Sequence, residues 1–148
     1  MFLELITELL QDGYRVNFSA PGHSMYPTIM ANETIMVEPI DPGTVRLGDI
    51  VLYRANGRLV AHRVIGIENE INDFVLRGDA SLTCDEPVKS DQILGKVISI
   101  ERNGCSIDPY SSKHTLSRLA RFWAIRCERI PLMISSIFSS FSRSKTLE

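Results

Sequence analysis

Ile50-Val51-Leu52-Tyr53-Arg54-Ala55-Asn56-Gly57-Arg58-Leu59-Val60-Ala61-His62-Arg63-Val64-Ile65 is the stretch on which the fold turns. Two runs rich in β-branched residues flank Asn56-Gly57, a pair that readily takes the positive φ of a two-residue hairpin turn. The pattern predicts a strand over residues 50–53 that returns as a second strand over 59–67. One imidazole, that of His62, sits inside the return strand.

The same punctuation continues on both sides. Downstream, a turn over residues 69–73 leads to a strand over 74–77. A polar loop over 78–88 then carries Asp79 and Asp85. A strand over 93–100 follows, and Asn103-Gly104 turns the chain into a short strand over 105–107. Upstream, Gly48-Asp49 marks a bend, and the prolines and glycine of residues 39–43 mark a loop. The strand before that loop covers 34–37. Alternation of Tyr14, Val16 and Phe18 predicts a strand over 14–18. Before it, Phe2, Leu5, Ile6, Leu9 and Leu10 share one side of a short helix stopped by Asp12-Gly13. Short strands at close spacing argue a mainly β domain, a compact antiparallel sheet with a barrel-like character and a short N-terminal helix.

Residues 113–148 read differently. Leu116, Leu119, Ala120, Trp123, Cys127 and Ile130 recur at three- and four-residue steps, with arginines mostly off that stripe. This predicts a basic amphipathic helical tail, kinked at Pro131, after a β domain over residues 1–112. The charge divides at the same place. The tail holds seven Lys/Arg against two Glu, and the body nine against sixteen Asp/Glu. Such a tail suits the surface of an anionic membrane or packing on its own domain or a second copy.

The three cysteines fit no zinc or redox spacing, and free thiols in a reducing compartment are expected. Glu4 and Glu8 stand where a signal peptide would be positive and then apolar, and no stretch has the length of apolar residues a spanning helix needs. The expectation is a cytoplasmic protein, at most peripheral to a membrane. His23 and His114 lack partners at ligand spacing, so neither a metal nor a cofactor is expected. The acidic body, with room for one short helix before residue 24, argues against nucleic-acid binding.

The chemistry-bearing stretch is Gly22-His23-Ser24-Met25-Tyr26-Pro27. Gly22 permits a tight or positive-φ conformation and Pro27 fixes φ, so Ser24 is expected on a shaped turn with an exposed hydroxyl and a free amide. The plainer alternative is that Ser24 caps a short helix over residues 25–30. A serine hydroxyl attacks only when a base stands within hydrogen-bond reach and a carboxylate orients that base. His62 and one of Asp79 and Asp85 are the parts available. Each has an ordinary alternative: a satisfied strand histidine, an Asx turn after Gly78 for Asp79, a solvated loop charge for Asp85.

Gly22-x-Ser24-Met25-x-Pro27, Gly48-Asp49-Ile50-Val51, His62-Arg63-Val64-Ile65 and Arg77-Gly78-Asp79 with Asp85 resemble, in order and rough spacing, the successive boxes of the signal peptidase I family. The likeness runs from about residue 16 to residue 100. It is nearest to the endoplasmic-reticulum, archaeal and sporulation branch, where a histidine stands in place of the lysine base of bacterial leader peptidases and LexA-type repressors. The resemblance implies a serine endopeptidase with Ser24 as nucleophile and His62 as general base, and with Asp85 as the orienting carboxylate ahead of Asp79. It places Met25 in the substrate cleft beside Gly22 and Pro27. The implied substrate is an extended precursor peptide with small residues such as alanine before the cut. A histidine base implies activity that rises with pH through the ordinary imidazole range, near about 6.5. A membrane anchor of the family type is missing from residues 2–10, which points to a leader or signal segment cut from a precursor at or near the cytoplasm. A non-catalytic peptide-binding module and a self-cleaving regulator are the alternative readings.

Overall fold

Eight strands form one antiparallel sheet in the computed structural model, which describes residues 1–68 and 73–111. The tail expected over 113–148, with Cys127 and His114, and most of the turn expected over 69–73 lie outside the described residues.

Helix α1, Phe2–Gln11, precedes β1 (Val16–Ala20), β2 (Glu33–Pro39), β3 (Ile50–Ala55), β4 (Arg58–Glu68), β5 (Asp73–Arg77), β6 (Val88–Lys89), β7 (Ile93–Arg102) and β8 (Cys105–Ile107). The strand order is β1-β2-β7-β3-β4-β5-β6, with β8 paired to β7 beside it. β1 and β6 end the sheet and do not meet, so it is open. The mainly β antiparallel domain expected from the sequence forms, as an open sheet rather than a closed barrel. Met1–Ser111 make one compact unit.

The hairpin at Asn56-Gly57 forms as the sequence predicts. Asn56 and Gly57 take φ of 49° and 72°, and β3 pairs with β4 from Ile50↔Arg63 to Ala55↔Arg58. Four successive residues of β3, Ile50 to Tyr53, are buried, because both faces of this central strand are covered. Ile50 and Leu52 enter a core with Ile6, Leu10, Met25, Ile29, Ile35, Val97 and Ile100. Val51 and Tyr53 enter a second core with Val64, Phe74, Leu76 and Val88. Each fully buried aliphatic side chain contributes about 2 kcal/mol. Helix α1 buries Ile6 and Leu10 in the first core but leaves Phe2 and Leu5 exposed, so its apolar side is only partly covered.

Three local expectations are corrected. β1 runs from Val16 to Ala20, two residues later than the alternation suggested, because its partner β2 sets the register from Val16↔Val37 to Ala20↔Glu33. Tyr14 stays exposed. β6 and the 3-10 turn Ser90–Gln92 stand at the end of what read as an irregular loop. No helix forms over residues 25–30. That segment is a series of turns held by Tyr26 N–H to the His23 carbonyl at 3.1 Å and Ile29 N–H to the Met25 carbonyl at 3.0 Å.

Two polar fastenings hold the sheet around the site. Asp49 accepts the Arg46 N–H at 3.0 Å and pairs with Lys96 of β7 at 2.7 Å. The Tyr110 hydroxyl donates to the Val97 carbonyl at 2.7 Å and accepts the Ile50 N–H at 3.1 Å, which ties the segment after β8 to β3 and β7. Burial raises the Tyr110 pKa well above the ordinary tyrosine range. Among the described residues, no helix is long and apolar enough to cross a membrane.

Candidate active site

Ser24, His62 and Asp85 come from three separate parts of the chain and meet in one line of hydrogen bonds. Ser24 opens the turns after β1. His62 stands on β4 opposite Val51 of β3, and Asp85 lies in the loop between β5 and β6. Ser24 Oγ is 2.8 Å from His62 Nε2, and His62 Nδ1 is 2.5 Å from Asp85 Oδ2. The imidazole is buried while the Asp85 side chain keeps about a quarter of its exposure, 26 %. Asp85 is an acceptor when ionised, so Nδ1 carries the proton of the neutral ring and Nε2 presents its lone pair to Ser24. That is the tautomer a base acting on Ser24 requires.

The aspartates therefore separate. Asp79 lies elsewhere, with Arg63 Nε at 2.8 Å from its Oδ1 and Arg63 Nη2 at 2.7 Å from its Oδ2. Thr28 donates its hydroxyl to the same Oδ2 at 2.5 Å, and Arg63 Nη1 donates to the Gly48 carbonyl at 2.8 Å. Arg63 neighbours His62 on β4, and Thr28 belongs to the turns that begin at Ser24. Asp79 thus joins the serine segment to the histidine strand without touching the imidazole. Burial alone would lower the Arg63 pKa, but the Asp79 hydrogen bonds and charge outweigh it and raise it.

Gly78 supplies a contact that the sequence reading did not attach to it. A Cβ built there would lie 2.5 Å from the Ser24 carbonyl oxygen and 3.0 Å from the Ser24 Cβ. Only a glycine allows the loop this near, and Ala80 N–H then donates to the same carbonyl at 2.8 Å. Gly22, expected to take a tight or positive-φ conformation, is not at positive φ, and a Cβ there would meet nothing within 4 Å. The Ser24 N–H makes no hydrogen bond among the described residues, which leaves it available to an incoming oxygen.

Beside Ser24 opens an apolar pocket of about 250 Å³, lined by Phe18, Met25, Ile29, Leu52, Leu59 and Ala61 among others. Gly22 also lines it. Met25 serves both as wall and as core, while Pro27 is buried and absent from the lining. A second cleft, about 540 Å³, lies along Tyr53, Arg58, His62, Asp85 and Glu86. Between the pocket and this cleft runs an unpaired sheet edge. β4 pairs with β3 over Arg58 to Arg63 but meets β5 only from Arg63 onward, so residues 58–62 have no strand on their outer side among the described residues.

Tyr53 is the site residue that sequence reasoning missed. Its hydroxyl donates to Asp85 Oδ2 at 3.0 Å and lies 3.4 Å from His62 Nδ1. A tyrosine in an apolar strand reads as core, and the only signal was the buried hydroxyl's need for a partner. Cys84 and Cys105 are free and exposed. No group of three His, Cys, Asp or Glu able to hold a metal occurs among the described residues. No protein-family model and no curated protein matches the chain.

Proposed function

We propose that this protein is a serine endopeptidase of the signal peptidase I type. The observation that carries the reading is the unbroken hydrogen-bond line from Ser24 Oγ through His62 to Asp85, at 2.8 and 2.5 Å. His62 Nε2 takes the Ser24 hydroxyl proton as Oγ attacks a peptide carbonyl, and the Ser24 N–H faces the oxyanion that forms. The tetrahedral intermediate collapses as His62 returns that proton to the leaving amine. A water, deprotonated by His62, then hydrolyses the acyl-enzyme. Asp85 orients the ring and stabilises its charged form.

The substrate is an extended precursor peptide that adds as a strand to the free edge of β4 at residues 58–62. Side chains on the acyl side enter the apolar pocket beside Ser24. By likeness to the family, they are small residues such as alanine, in a leader or signal segment.

Labelling with a serine-reactive acylating probe tests this on the wild-type chain, Ser24→Ala and His62→Ala. Labelling of the wild type, none of Ser24→Ala and a 10²- to 10⁴-fold slower reaction of His62→Ala, all with unchanged circular dichroism, supports the proposal. Equal labelling of Ser24→Ala, or none of the wild type across pH 5 to 9, overturns it.

A further inference from the structure

Asp85 stands on a loop, and a carboxylate that must hold an imidazole in one tautomer needs a second point of attachment. The backbone of Asp85 is fixed by its N–H, which donates to the Leu76 carbonyl at 2.9 Å. Its side chain is partly exposed and free to rotate unless something else holds it. Tyr53 reaches the same carboxylate oxygen beside the imidazole, its hydroxyl 3.4 Å from His62 Nδ1. The Tyr53 ring is anchored in the second core, 2 % exposed, on the central strand β3. Its centroid stands 6.2 Å from that of His62, and its hydroxyl donates to the same Asp85 oxygen that accepts His62 Nδ1–H.

We propose that Tyr53 is a positioning residue, whose hydroxyl fixes the Asp85 carboxylate so that His62 keeps its proton on Nδ1 and its lone pair toward Ser24. The role rests on the peptidase reading for its effect on rate but not for its effect on the imidazole. A rigid strand donor aimed at a loop acceptor converts one flexible contact into a three-centre arrangement, and a charge-assisted bond of this type is stronger than a neutral one. Burial, followed by the Asp85 charge and hydrogen bond, raises the Tyr53 pKa above the ordinary tyrosine range. The hydroxyl therefore stays protonated, and a donor, beyond the pH at which an ordinary tyrosine ionises.

The test is Tyr53→Phe, which keeps the ring and removes only the hydroxyl, with Asp85→Asn as the reference for a lost carboxylate. Two readouts are taken on the full chain. The first is ¹⁵N NMR of the histidine rings near neutral to mildly alkaline pH, with the His62 signals assigned by comparison with His62→Gln. The wild type is expected to show the Nδ1–H tautomer, and Tyr53→Phe a mixture of both, shifted toward Asp85→Asn. The second is hydrolysis of an alanyl peptide ester. Here kcat is expected to fall about tenfold in Tyr53→Phe with KM within twofold of the wild type.

An unchanged tautomer in Tyr53→Phe overturns the proposal, whether or not kcat falls, since packing alone would then account for any loss. A changed tautomer with unchanged kcat overturns the claim that positioning matters to the rate. If the wild type hydrolyses nothing while the tautomer still shifts, the role of Tyr53 at the imidazole stands and the peptidase reading fails.

Discussion

Gly78 and Ser24 touch backbone to backbone, with space for no side chain between them: a Cβ on Gly78 would lie 2.5 Å from the Ser24 carbonyl oxygen. The nearest atom in the way is a main-chain oxygen of the turn that carries Ser24, which cannot swing aside as the Ser81 hydroxyl, 2.9 Å away, could. Gly78→Ala must therefore displace that turn or the loop leading to Asp85. Since a misplacement of about 1 Å costs about 10²-fold in rate, peptide-ester hydrolysis by Gly78→Ala is expected to drop at least tenfold. Gly22→Ala, with open space at its Cβ, is expected to fold as the wild type does. Parallel kinetics and melting curves check both.

The two aspartates should fail in opposite ways. Asp85→Asn keeps the shape of the side chain but removes the charge that fixes the ring, so kcat is expected to fall by about 10³ to 10⁴ with little loss of stability. Asp79→Asn leaves Arg63, whose side chain is largely buried, without its carboxylate. A loss of about 3 kcal/mol in urea unfolding is expected there. Activity of its folded fraction should exceed that of Asp85→Asn. The reverse ranking would mean that Asp79 serves the imidazole.

Stability at high pH carries a sign fixed by two tyrosines, the buried Tyr53 and the partly buried Tyr110. Tyr53 and Tyr110 both have folded pKa values above that of an unfolded tyrosine, about 10, so above that pH the folded chain binds more protons than the unfolded one. Their contribution is complete below pH 10 and lost as pH rises beyond it. The loss is at most about 1.4 kcal/mol per pH unit for each group. Urea unfolding between pH 8 and 11 is expected to show this fall, and Tyr110→Phe should flatten it while lowering stability at pH 8, since the Ile50 N–H and Val97 carbonyl lose their partner. A stability independent of pH in this range would contradict the assignment.

The proposed strand addition at residues 58–62 of β4 makes a prediction about the substrate's backbone. A peptide whose amides near the cut are N-methylated in turn should lose at least tenfold in kcat/KM where the methyl replaces a ladder hydrogen bond, and little at the alternate positions. A uniform response along the peptide would speak against a strand.

Much of this arrangement was legible in the chain. Asn56-Gly57 announced the hairpin because both of its positive φ values are a local demand, met by local residues. Ser24, His62 and Asp85 were legible as parts, since the chemistry needs those residue types. Residue pattern alone did not assemble them: the family resemblance favoured Asp85 over Asp79, but both are loop carboxylates after one strand, and it is packing that directs one to Arg63 and the other to His62. Tyr53 was hidden for the same reason, since its partner lies 32 residues away. The start of β1 was misplaced because the alternation of Tyr14, Val16 and Phe18 fits two strand windows equally well, and pairing with β2 selects the later one. β6 escaped notice because a two-residue strand has no periodicity and exists only by pairing with β5. Closure into a barrel depends on whether the end strands meet, which no local pattern encodes.

Trapping the acyl group on Ser24 tests the proposed peptidase chemistry at its first covalent step. The chain would be mixed with an alanyl peptide ester, quenched in acid within the first turnover and analysed by intact mass and peptide mapping. An added acyl mass is expected on the peptide containing Ser24, absent in Ser24→Ala, formed far more slowly in His62→Ala and cleared when the wild type is left to turn over. Ester hydrolysis that proceeds in Ser24→Ala at the wild-type rate, or an acyl group found on another residue, would contradict the proposed chemistry.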